Sequence, residues 1–105
     1  LISSALKKSP NAPHIIDSAA WLAYRQNNLG KAAKLAQQAH QLSNAPDVTL
    51  HLAEILWVKG DIGEARKLFN ELKSVPATKP NEGFPTLLKS TMQRLGVNFV
   101  HTAKP

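Results

Sequence analysis

Four histidines, seven carboxylates, two tryptophans and one tyrosine are the groups in this chain with the chemistry to make a site. His14, His40, His51 and His101 lie far apart, and no pair has the HExxH or three-residue spacing that presents two imidazoles to one metal ion. Cysteine is absent, which removes thiolate ligands and disulfides while leaving the redox compartment open. Asp17 and Glu54 share a face only if two helices align, and a shared face becomes an acid/base pair only where a carboxyl titration is shifted. No glycine-rich phosphate loop and no nucleophile elbow is present. The reading is therefore of no catalytic residue, no cofactor and no metal. What remains is recognition: Trp21, Tyr24, Arg25 and Trp57 are of the types concentrated in binding hot spots.

The elements that position these residues follow from a repeat. Sliding the chain along itself by 33 residues lays Arg25 to Ala39 (RQNNLGKAAKLAQQA) over Val58 to Leu72 (VKGDIGEARKLFNEL). Asn27 then falls on Gly60, Leu29 on Ile62, Gly30 on Gly63, Ala32 on Ala65 and Leu35 on Leu68. The same shift lays Tyr24 on Trp57 and Ala20 on Ala53. A repeat in the thirties with helical periodicity points to a solenoid of helix pairs.

Helical spacing and stop signals set the elements. A first helix is expected from Pro13 to Gln26, burying Ile16, Ala19, Ala20 and Ala23 and widened by Leu22. A second runs from Leu29 to Ser43 with Leu29, Ala32, Ala33, Leu35, Ala36, Ala39 and Leu42 inside. Asp47 caps or opens a third, which reaches Lys59 and packs Val48, Leu52, Ala53, Ile55 and Leu56. A fourth runs from Ile62 to Ser74, burying Ile62, Ala65, Leu68, Phe69 and Leu72. Asn27 and Gly60 both suit the positive φ that closes a helix. Beyond Pro76 and Pro80, Phe84 to Leu95 reads as a further helix with Gly96 as its stop.

These residues resemble the tetratricopeptide repeat (TPR), a helix pair with small residues where the helices cross, a glycine near the turn and a proline after the second helix. Leu52, Ala53, Leu56, Gly60, Ile62, Ala65 and Phe69 fall on the signature sites of the second repeat. Ala20, Leu29, Ala32 and Ala39 do so in the first, while Ala19, Ala23, Asn27 and Ala36 depart from the usual choice. At finer grain, Asp17 to Trp21 and Leu50 to Phe69 look like the closing repeats of bacterial TPR proteins linked to exopolysaccharide or protein-sorting (PEP-CTERM) systems, often exported lipoproteins. The resemblance implies an all-α solenoid: the end of a preceding repeat over residues 1–12, repeats over 13–45 and 46–76, a linker over 77–83, a capping helix over 84–96 and a tail over 97–105. It also implies periplasmic or membrane-anchored placement through an upstream signal, with a cytoplasmic protein as the other possibility.

Binding in the resembled family uses the concave face, lined by the first helix of each pair. That assigns a partner-binding groove to Asp17, Trp21, Tyr24, Arg25, Leu50, His51, Glu54 and Trp57, flanked by His14 and Val58, for a peptide or a segment of a protein. Two bland readings stand beside it: the aromatics pack between helices, and Arg25 pairs with Asp17 or Glu54. The family's Lys and Asn carboxylate clamp is not reproduced, which disfavours a ligand ending in a free carboxylate.

The net charge of +6 raises nucleic acid as an alternative partner, yet thirteen Lys and Arg are scattered with no basic run longer than two. No apolar run is long enough to span a bilayer. The chain opens at Leu1 within a helical pattern and reads as a piece of a longer protein, so the structural end of a multi-domain enzyme is a further alternative. Leu1 to Lys8, parted from its partner helix, is expected to leave an apolar edge that drives homodimerisation.

Overall fold

Proline stands first or second in three of the five helices of the computed structural model, which describes residues 12–76 and 81–97. Its missing N–H falls where a helix has no acceptor for it. The helices are α1 (Pro13–Arg25), α2 (Leu29–Leu42), α3 (Pro46–Lys59), α4 (Ile62–Leu72) and α5 (Phe84–Leu95). The described residues are all-helical, without strand. The expected helix of Leu1 to Lys8, with its apolar edge, and the tail beyond Val97 lie outside the described residues.

The turns repeat as closely as the helices. Asn27 takes φ 62° and Gly60 takes φ 106°, both left-handed. After each, a backbone N–H reaches back five residues: Asn28 to the carbonyl of Ala23 and Asp61 to that of Leu56, both at 2.9 Å. The residues themselves bond to Tyr24 and Trp57, at 3.0 and 3.2 Å. This is the glycine-type helix stop, used twice with different residues. The helix starts match too, since Ile16 N–H bonds to Ala12 and Thr49 N–H to Ala45, again 33 residues on. Asn28 adds a side-chain cap, accepting from the Lys31 N–H at 3.4 Å.

Each of the first three helices packs on the next, and α3 also touches α1 and α5. Between α1 and α2 the contact is almost wholly alanine: Ala19, Ala20, Ala23, Ala32, Ala33, Ala36 and Ala39 are all buried. Side chains this short let two helix backbones approach closely. Phe69, Ile55 and Leu56 fill the wider space between α3 and α4, and Phe84, Leu88 and Val97 extend the same core beneath α5.

Being covered by four helices, α3 is apolar nearly all round, as a central helix must be. Some sequence expectations fail at the periphery. Leu22, Leu42 and Ile62, expected inside, are 44%, 47% and 36% exposed. Leu22 is one residue of helical rotation from buried Ala23, while Leu42 is the last residue of α2 and Ile62 the first of α4, where fewer neighbouring turns cover a side chain.

Candidate functional site

Glu54 is the hub of the polar structure. It lies midway along α3 and is buried, a position a lone carboxylate does not tolerate. Two neighbouring helices satisfy it. The Tyr24 hydroxyl of α1 donates to Oε2 at 2.7 Å, and Arg94 of α5 donates from Nη1 to Oε2 at 3.2 Å and from Nη2 to Oε1 at 2.7 Å. Burial, and then the hydrogen bond to Glu54, push the Tyr24 hydroxyl up to about 12. The bond to Glu54 outweighs desolvation at Arg94 and raises its guanidinium further above its ordinary value.

A second polar link joins α1 to α3. Nδ1 of His51 stands 2.9 and 2.8 Å from the two oxygens of Asp17. An ionised carboxylate only accepts, so Nδ1 carries the proton. Burial works against a charged His51, but its hydrogen bond to Asp17 and the charges of Asp17, Asp47 and Glu54 prevail and raise its pKa above the ordinary 6.5. The imidazole also stacks on Trp21 with ring centres 4.4 Å apart, and Trp21 meets Tyr24 at 4.8 Å.

The eight residues assigned to the groove therefore divide. Asp17, Trp21, Arg25 and His51, with Ser18 and Leu22, line one open pocket of about 290 Å³ between α1 and α3. Leu50 is a correction: only 3% exposed, it packs in the core cluster that also holds Phe84 and Leu88 of α5, and so faces away from solvent. Glu54 and Tyr24 are occupied with each other. Trp57 is also turned inward. Its Nε1–H donates to the Leu95 carbonyl at 3.1 Å, Phe69 meets its ring edge-on at 6.4 Å, and the Arg66 guanidinium sits over it at 5.5 Å. Of the flanking pair, His14 and Val58 are both exposed.

Arg25 pairs with neither Asp17 nor Glu54, since both are committed elsewhere. It is exposed at the pocket wall, with no ion pair or hydrogen bond among the described residues.

Sequence reasoning missed Arg94 and the Asp17–His51 bond. The latter had a signal, because the two residues are 34 apart, one more than the repeat, which places them at one level on neighbouring first helices. Arg94 had none, because it follows a linker that breaks the register.

A second hollow of about 290 Å³ lies between α2 and α4 over Leu52, Leu56 and Leu68, rimmed by His40, Glu64 and Lys67. Among the described residues no three His, Asp or Glu cluster as metal ligands do, and no helix is long and apolar enough to cross a membrane. Compared with protein-family models, with curated proteins and with solved structures, the chain matches none.

Proposed function

We propose that this chain is a TPR-like helical-repeat scaffold without catalytic chemistry, which docks a peptide or a segment of a protein in the pocket between α1 and α3. The observation that carries this reading is the pocket itself. It joins the face of Trp21, exposed Leu22 and an uncommitted Arg25 on a framework made rigid by the Asp17–His51 and Glu54 links. Aromatic, aliphatic and guanidinium groups over a fixed backbone suit recognition of an extended segment, because little ordering entropy is lost on the scaffold side.

The solenoid reading is supported by two turns of one form 33 residues apart and by the contact of α3 with both α1 and α5. In this reading α5 is a cap. It buries Phe84 and Leu88 and turns Lys89, Ser90 and Gln93 to solvent, as the terminal element of a repeat array must. An upstream lipoprotein signal and a role in bacterial export or exopolysaccharide assembly belong to the same reading, through the resemblance of the closing repeats. Nucleic acid is the lesser alternative, since the described Lys and Arg are distributed over all five helices rather than gathered on one.

Selection of random short peptides on the immobilised chain, with Trp21→Ala as counter-screen, tests the function. Peptides retained by the chain and lost from the variant, whose circular dichroism stays helical, are the expected result. A selection that yields no binder, or binders indifferent to Trp21, overturns the docking function.

A further inference from the structure

We propose that the segment docked between α1 and α3 is acidic, placing a carboxylate on Arg25 and an adjacent apolar side chain on Trp21 and Leu22. This rests on the docking function proposed above and adds the chemistry of the occupant.

Both oxygens of Asp17 are held by His51, and both oxygens of Glu54 are held by Tyr24 and Arg94. The two carboxylates suited to quench Arg25 are thus withdrawn from it. Arg25 keeps a planar fork of N–H donors free at the wall of a pocket, and that fork matches the two oxygens of a carboxylate.

Position along α1 places an apolar surface beside that fork. Ser18, Leu22 and Arg25 follow one another at four and three residues, so they form a single stripe along α1, with Trp21 beside it. Leu22 is 44% exposed along this stripe. An occupant that covers Leu22 and Trp21 has its next group within one helical turn of Arg25. A neutral segment would desolvate Arg25 without replacing its water, and a basic one would meet it as a like charge. The chain's net charge of +6 favours the same sign of partner at long range.

The peptides selected on the wild-type chain supply the test. They should be enriched in Asp or Glu next to Leu, Ile, Phe or Met, and a synthetic copy of the strongest should lose about tenfold in affinity to Arg25→Glu, with Arg25→Lys retaining part of it. Replacing the peptide's acidic residue by Lys should restore binding to Arg25→Glu. Selected peptides without acidic enrichment, or an affinity unmoved by Arg25→Glu but abolished by Trp21→Ala, overturn the acidic-partner inference and leave the docking function standing. No selectable peptide at all overturns both. A single-stranded oligonucleotide run in parallel that binds through Arg25 while no acidic peptide does also overturns it. Arg25 is exposed and makes no ion pair or hydrogen bond among the described residues, so unchanged circular dichroism and melting of its variants separate recognition from folding.

Discussion

Arg94 grips both oxygens of Glu54, at 2.7 and 3.2 Å, across forty residues of sequence and a linker that interrupts the repeat. One partner is 57% exposed and the other 4%, so the pair is half in water, and its value lies in what Glu54 would suffer alone. Arg94→Ala should cost about 1–2 kcal/mol in urea unfolding, less than a fully buried pair because solvent screens the guanidinium. In a Glu54→Gln background the same substitution should cost markedly less. Equal costs in the two backgrounds would mean that the two groups are not coupled.

The hydroxyl of Tyr24 reports on the same carboxylate from the other side. Tyr24 is the only tyrosine, so phenolate absorbance follows it without overlap. The folded protein should titrate near 12, and Glu54→Gln should bring the midpoint back toward the ordinary value of about 10. A midpoint unmoved by Glu54→Gln would assign the shift to burial alone.

His51 makes stability depend on pH in a definite direction. Its folded pKa lies above the unfolded value of about 6.5, so the native state holds the proton more tightly. The stabilisation is complete below that value and is lost as pH rises through the folded pKa. Melting of the wild type relative to Asp17→Asn should therefore show an advantage at about pH 6 that shrinks by about pH 8.5. An advantage that grows with pH would reverse the assignment.

The indole of Trp57 fastens the end of α5. Trp57→Phe keeps an aromatic ring but removes the donor to Leu95 and part of the surface packed on Phe69, for a loss of about 1–3 kcal/mol. Amide exchange should quicken at the last turn of α5 before it does in α1 or α2. Uniform acceleration across all helices would show that the bond supports the whole molecule rather than this one end.

A glycine at a helix stop and glycines inside helices should respond oppositely. Gly60→Ala forces a Cβ into φ 106° and should cost about 1 kcal/mol or more. Gly30→Ala and Gly63→Ala meet no atom within 4 Å and lie in helices, so each should stabilise by about 0.5 kcal/mol. Thermal melts of the three variants decide this.

Much of the helical framework was legible because local physics and the 33-residue period agree. Prolines at helix starts, Asn27 and Gly60 at stops and apolar residues at helical spacing all act within a few residues. The site was legible in composition more than in orientation. Trp21 and Arg25 could be placed because they stand on α1. Leu50, Glu54 and Trp57 could not, because their surroundings are completed by α5, whose position follows from residues after the linker. Withdrawal of Asp17 from Arg25 depended on a histidine one helix away, a competition that no single helix pattern records.

Ala12 and Ala45 stand before the prolines of α1 and α3 with like backbone angles, φ −77° and ψ 112° against φ −57° and ψ 133°. The joint that ends α2 thus has the form of the joint that precedes α1. If the chain is the repeat scaffold proposed above, copying the stretch from Pro13 to Ala45 in tandem would meet a junction of like backbone form at both ends. On the docking function proposed above, each copy would bring its own Trp and Arg stripe, and the reach along an extended partner would grow with the number of copies.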